Sequence, residues 1–361
     1  MTNVNLIRIY REQAGLPQAD LGRSLGVTRQ TIAAWEKGDR EPSVVQITQI
    51  AQALGIAVEL LLPSTHDIPA VEDRGLMFRA DEPAALTPQL RAALSRKADD
   101  YTFVEHLAGE VPTLPEMRPL DGYDAHVVEA VAREIRDWLG MGEGCPLGDA
   151  VALLEAKGLK VILHPLPDEI SGFSGYTETS GASIFINANH PTDRKFFTGL
   201  HELAHLIFHR QDYRRPNEKA TRHDPREKVA NHFAGAVLLP EEVIRRELYG
   251  YRNRWLPEPL LSDMKRRYGV SMRTVLYRAA QAGLISQKQQ GQQIGQLNKK
   301  YGADKEGVEL PPIQHLTRLE RIVFLALLKE EITISRAAEI LGKPLAEVRE
   351  ALNDWLEEMA D

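Results

Sequence analysis

Three side chains in the stretch 196–209, FFTGLHELAHLIFH, have the types and spacing that metal chemistry needs. In a helix, His201 and His205 lie one turn apart on one face, so two imidazole nitrogens can meet one metal ion. Glu202 projects about 100° further round, within reach of a metal-bound water without being forced to ligate. This is the physical content of the His-Glu-x-x-His pattern of zinc hydrolases. Leu200, Leu203, Ala204, Leu206, Ile207 and Phe208 support the helix, and neither Pro nor Gly follows Gly199 within it. A pattern of three fixed positions also arises by chance on surface helices whose histidines only cap or pack, so the surrounding elements have to decide.

Catalytic zinc takes three protein ligands and keeps one position for water. Downstream candidates are His209, Gln211, Asp212, His223, Asp224, Glu227 and His232. The metzincin spacing asks for a histidine at position 211, and Gln211 stands there, so that pattern fails. His209 is a further turn along the same helix, and a straight helix cannot easily bring all three histidines to one ion. Glu227 is better placed. Pro225 opens a helix through Val237, and Glu227, Ala230, Asn231, Ala234 and Leu238 share one face of it. The small alanines permit close helix packing, and the one acid among them points towards the neighbour. For an oxyanion donor, Tyr176 and His232 are both candidates, and nothing in the sequence selects one.

Further elements precede the histidine helix. Residues 125–139 and 146–157 read as amphipathic helices, and 160–164 (KVILH) as a strand. Residues 172–177 and 181–187 (GASIFIN) read as two antiparallel strands with a polar turn. An edge strand beside a peptidase site can hold an extended substrate by strand addition, and residues 183–187 are the expected edge.

The first 65 residues read as a separate helical domain. Leu6, Ile7 and Tyr10 give an apolar stripe with Arg8 and Arg11 outside it. Residues 18–25 form a short second helix, Gly26 and Val27 turn the chain, and Thr28 is a natural N-cap for a third helix ending at Gly38. Residues 44–54 make a fourth helix and 58–62 a fifth. Two short helices joined by a tight glycine turn form a helix-turn-helix, whose second helix enters the major groove by its N-terminal end. Thr28, Arg29, Gln30 and Thr31 lie there, with Arg suited to guanine and Gln to adenine. Gln18, at the start of the preceding helix, is placed to hold a phosphate.

The run GLPQADLGRSLGVTRQTIAAWEKGDREPSVVQITQIAQALGI resembles the Cro and lambda-repressor type, or XRE, helix-turn-helix family. Gln18, Gly26, Val27, Ile32, Trp35, Glu36, Gly38, Pro42 and Leu54 carry the likeness. It implies a double-stranded DNA operator and binding as a homodimer on paired half-sites. Residues 1–65 hold six basic and six acidic side chains, which by itself would suit a protein-contact bundle. The polar, basic tip of the third helix favours DNA.

FTGLHELAHLIFH followed by EKVANHFAGAVLLP resembles a second family, the ImmA/IrrE metallopeptidases, over about residues 125–285. The resemblance implies a zincin-like peptidase domain with Zn2+ held by His201, His205 and Glu227, and with Glu202 as general base. It also implies a repressor or antitoxin-like protein as the substrate, cleaved to relieve repression.

The chain as a whole is α+β and mostly helical on this reading. Domains are expected at 1–65 (helix-turn-helix), 66–120 (a partly helical connector) and 121–285 (peptidase-like, with a helical tail). A Gln-, Gly- and Lys-rich flexible linker is expected at 286–311 and a C-terminal helical domain at 312–361. Residues 260–284 look like another helix-turn-helix but are expected to pack as a wall of the cleft. Residues 286–361 hold ten basic and thirteen acidic groups, which favours packing or dimerisation over DNA. Net charge is -7 over 361 residues, so any nucleic-acid contact has to come from a local patch. The single Cys145, the absence of a long apolar run and a first segment without a secretory pattern lead us to expect a cytoplasmic protein with no membrane contact. Two functions fit: a DNA-binding regulator that is also a zinc endopeptidase, or a non-proteolytic regulator whose peptidase-like domain is a sensor or dimerisation platform.

Overall fold

A computed structural model of the chain describes residues 4–40, 42–54, 61, 77–79, 87–110, 113–142, 144–177, 180–211 and 224–358. The chain forms two compact units, residues 1–76 with 84–100, and residues 77–83 with 101–361.

In the first unit, helices α1 (Val4–Gln13), α2 (Gln18–Ser24), α3 (Arg29–Lys37) and α4 (Val44–Leu54) close over Ile7, Leu21, Ile32, Trp35, Ile47 and Ile50. Thr28 caps α3 by accepting the Thr31 amide proton at 3.2 Å, and Gly38 ends the helix in the left-handed region at φ 78°. A Cβ on Gly22 would stand 2.8 Å from the Val27 carbonyl oxygen. Only glycine lets α2 meet the turn this closely, which explains a residue that otherwise weakens a helix. Arg11, expected outside the apolar stripe, is buried instead. Its guanidinium pairs with buried Glu36 at 2.5 Å and donates to the Leu16 carbonyl at 2.8 Å, tying α1 to α3. The expected fifth helix at 58–62 lies outside the described residues, except for Leu61, which is fully buried.

The second unit is built on a four-stranded sheet in the order β1-β3-β4-β2. These are β1 (Met77–Arg79), β2 (Lys160–His164), β3 (Gly172–Thr177) and β4 (Gly181–Asn187). β3 runs antiparallel to β4, β2 runs parallel to it, and β1 pairs antiparallel along the outer side of β3. β4 is therefore central, which overturns the reading of 183–187 as an edge. Ala182 through Asn187 are all buried. Such an uninterrupted buried run marks a strand covered on both faces and flanked by partners, whereas a half-exposed strand alternates. The outer strands are β1 and β2, and among the longer strands β3 has the side turned away from β4.

Helices cover this sheet. α6 (Ala125–Leu139), capped by Asp124 and ended by Gly140, packs on α9 (Pro225–Leu238). α7 (Ala150–Ala156) starts at the Asp149 cap and packs on α8 (Thr192–Phe208), which in turn lies on β3, β4 and α9. α10 (Glu241–Glu247), α11 (Glu258–Tyr268) and α12 (Met272–Gln281) follow. Met264, Val275, Leu276 and Ala279 are fully buried in the same core as α8 and α9, so the second helix-turn-helix-like segment is a packing element.

The stretch expected to be a flexible linker is instead α13 (Gln287–Tyr301), opened by a capping box between Ser286 and Gln289. Within the Gln-rich composition, Ile294, Leu297 and Tyr301 form a narrow stripe that packs on the core. Buried Gln293 accepts the Leu256 amide proton at 3.0 Å. Beyond it, Glu306, with its side chain 4% exposed, pairs with Lys265 and Arg273, each at 3.0 Å, and holds the first turn of α12. Helices α14 (Arg318–Leu328), α15 (Ile334–Leu341) and α16 (Leu345–Glu358) complete the unit.

The helical part of the expected connector is α5 (Pro88–Ala108). Its Tyr101 and Val104 are fully buried. Its Glu105 forms a buried ion network with Lys160 of β2 at 2.7 Å and Arg318 of α14 at 2.6 Å. Among the described residues, no helix is long and apolar enough to cross a membrane.

Candidate functional site

Every residue from Thr198 to Phe208 in α8 is buried, because the helix is enclosed by the sheet on one side and α9 on the other. His201 and His205 thus leave the helix into protein rather than into bulk water, with exposures of 7% and 2%. α9 is held in place by Pro225 in its first turn and by the Asp224 side chain, which accepts the Arg226 amide proton at 2.9 Å. Its Glu227 faces the two histidines. His201 Nε2 lies 3.2 Å from one Glu227 oxygen, and His205 Nε2 lies 3.4 Å from the other. The two Nε2 atoms are 3.1 Å apart.

This donor set fits a zinc ion. Ligand atoms bound tetrahedrally at about 2.0–2.1 Å stand about 3.3–3.4 Å from one another. Two imidazoles and one carboxylate leave a fourth position open, the pattern of a catalytic rather than a structural site. Among the described residues, His201, His205 and Glu227 form the group able to hold an ion. Burial pushes the Glu227 carboxyl up, but the hydrogen bonds from His201 and His205 outweigh it and hold the group far below the usual carboxylate range.

The histidines are oriented from behind. His201 Nδ1 lies 3.1 Å from the Asn231 side-chain oxygen, one turn after Glu227 on α9. His205 Nδ1 lies 3.1 Å from His209 Nδ1. His209, the residue that ends α8, therefore supports His205 from behind. Glu202 is 5% exposed and accepts a 2.5 Å hydrogen bond from the hydroxyl of Ser174 on β3. Ser174 carried no signal in the sequence: only the strand order places it against α8. Asn231 had one, its i+4 relation to Glu227.

The remaining candidates fall elsewhere. Asp212 and His223 lie outside the described residues. Asp224 is occupied by its cap and by Arg226. His232 is buried with both ring nitrogens engaged, Nδ1 by the Tyr123 hydroxyl at 2.8 Å and Nε2 by Glu129 at 2.7 Å. Arg278 also pairs with Glu129 at 2.7 Å. Burial raises the Glu129 carboxyl, but hydrogen bonds from His232 and Arg278 prevail and bring it down to about 2. His232 is thereby a member of a closed network and offers no ring N–H to an oxyanion. A cavity of about 900 Å³ opens beside α9, with Glu227, Asn231, Phe197, Tyr123 and Arg278 on its walls. Tyr176 carries the guanidinium of Arg210 over its ring, 5.4 Å from the centroid.

In the first unit, Thr28, Arg29 and Gln30 are exposed at the start of α3, and Thr31 is half-buried. Thr28 is committed to the cap and also shares a 2.9 Å hydrogen bond with the Thr31 hydroxyl. Gln18 donates its amide to Glu36 at 2.7 Å, and its oxygen accepts from Arg29 at 3.5 Å. The two groups with the best base-reading chemistry, Arg29 and Gln30, are thus presented, while Gln18 is tied into the Arg11–Glu36 network.

Comparison with known proteins assigns residues 7–61 to the helix-turn-helix model and residues 154–280 to the IrrE N-terminal-like domain. A protein of Methanothermobacter thermautotrophicus described as an uncharacterized HTH-type transcriptional regulator is 52% identical over 50 residues, 14% of this chain and 72% of that one. YgzD of Bacillus subtilis, described in the same terms, is 42% identical over 55 residues, 15% of this chain and 83% of its own length. Among solved structures, a Mycobacterium tuberculosis transcriptional regulator aligns over 51% of each chain at 21% identity with a TM-score of 0.32.

Proposed function

We propose, for a chain that belongs to the helix-turn-helix transcriptional regulators through residues 7–61 and carries an IrrE N-terminal-like domain over 154–280, that the second unit is a zinc-dependent endopeptidase acting on a regulatory protein. The chain is a DNA-binding regulator with this domain attached. The observation that carries the peptidase reading is the convergence of His201, His205 and Glu227 from two helices, with Glu202 buried in the turn between the histidines. When bound, zinc supplies a polarised water and a Lewis acid for the scissile carbonyl. The protein's own part is to hold and move a proton. Glu202, anchored by Ser174, takes the proton of the attacking water and returns it to the leaving amine. Asn231 and His209 keep both imidazoles turned towards the ion.

In the first unit, Arg29 and Gln30 are the proposed base readers, and pairing of two copies would match paired half-sites in the operator. The protein substrate is proposed to be a repressor or antitoxin-like partner, and the cell's cytoplasm the setting. The decisive measurement compares the parent with Glu202→Gln for zinc content and for cleavage of a candidate repressor. We expect equal zinc, close to one per chain, and loss of cleavage. Less than about half an equivalent of zinc, unchanged by His201→Ala, rules out the metal site. Full regulatory output from Glu202→Gln rules out proteolysis as the mechanism.

A further inference from the structure

The side of β3 that faces away from β4 is a sheet edge, and β3 itself touches the proposed catalytic carboxylate, since the Ser174 side chain bonds to Glu202. A strand edge in this place is a template of backbone N–H and C=O groups for an extended peptide. It is not empty. Residues 77–79, which follow the helix-turn-helix region in the chain, pair with it antiparallel: Met77 opposite Tyr176, Phe78 opposite Gly175 and Arg79 opposite Ser174. Among the described residues, the pairing covers three positions of a strand that spans Gly172–Thr177. It also belongs wholly to the second unit, although the sequence on both sides of it, 1–76 and 84–100, belongs to the first. A segment that leaves one unit, adds three residues to the other's sheet beside its catalytic group, and returns has a placement that chain connectivity alone does not require.

We propose that the β3 edge is the peptide-docking edge of the His201–His205–Glu227 site, and that residues 77–79 occupy it as a resident strand which an incoming substrate must displace. This rests on the peptidase reading. Tethering gives the resident strand a high effective concentration, so a free peptide competes poorly until β1 withdraws.

The test uses the full chain carrying Glu202→Gln, so that bound peptide is not cut, and a fluorescently labelled peptide of residues 72–84 (EDRGLMFRADEPA) as probe. The double substitution Met77→Pro and Phe78→Pro removes two backbone donors from β1. A second variant, with 77–79 replaced by Gly-Ser-Gly, keeps chain length and guards against a folding defect from proline. Both variants should bind the peptide at least about 10-fold more tightly than the parent. Hydrogen exchange at 174–176 should speed up in both variants and slow again with peptide. Equal peptide affinity in parent and variants, with zinc bound and Glu202-dependent cleavage present, overturns this inference and leaves the peptidase reading standing. Tighter peptide binding with no Glu202-dependent cleavage of any protein keeps the docking edge and overturns the peptidase reading.

Discussion

Asn231 and His209 stand behind His201 and His205, each 3.1 Å from an imidazole nitrogen. A partner of this kind fixes the ring's tautomer and direction, and losing one commonly lowers metal affinity about 10–100-fold. Asn231→Ala should therefore weaken zinc binding by that factor while leaving the helical signal in circular dichroism unchanged; competition with a chromophoric chelator measures it, and an unchanged affinity removes Asn231 from the site. The grouping of His201, His205 and Glu227 was legible in the sequence, because helical spacing alone puts His201 with His205 and the small-residue face of α9 turns Glu227 inward. Ser174 was not. Its hydroxyl matters only because β3 runs beneath α8, a relation between elements far apart in the chain. Arg11 was likewise read as surface, since a charge beside an apolar stripe normally is; its partner Glu36 lies two helices away.

Helix ends were the most legible elements, since caps act locally. Thr28 and Gly38 bracket α3, and Asp124 and Gly140 bracket α6, as local chemistry demands. Composition misled where a narrow stripe was hidden. The Gln-rich run of α13 has few apolar residues, but Ile294, Leu297 and Tyr301 fall at helical spacing and supply all the contact that one helix face needs. Strand order was illegible too, because hydrogen-bond partners across a sheet leave no mark on spacing within a strand. Gly22 gives a test at this scale. Gly22→Ala drives a methyl group to 2.8 Å from the Val27 carbonyl, against backbone that cannot yield cheaply. We expect a loss of about 1–3 kcal/mol in urea unfolding of the first unit, from overpacking. A neutral or stabilising effect, as for an ordinary helical Gly→Ala, would mean that the turn is looser than described.

Across the second unit, elements distant in sequence are joined by buried charge rather than by apolar packing alone. Glu105 accepts from both Lys160 and Arg318, and the three side chains are all 4% exposed or less. Removing the shared carboxylate strands two cations away from water. Glu105→Ala should therefore cost about 3–5 kcal/mol of stability by urea denaturation. The Glu110 contact to Arg318 at 2.7 Å places the effect towards the lower end. A change below about 1 kcal/mol would show that water reaches the network.

The enclosure of α8 by the sheet and by α9 has a thermodynamic consequence. Leu200, Leu203, Ala204, Leu206 and Ile207 are completely buried, so the helix that carries two ligands is secured by apolar contacts independent of any ion. Zinc would then bind a site that is already assembled, unlike a zinc finger, whose fold the metal creates. Chelation should be reversible: the secondary structure survives, the melting temperature falls by an amount that tracks free zinc through simple mass action, and returning the metal restores it. In such a protein, metal supply is an adjustable input to the regulator rather than a condition for its existence.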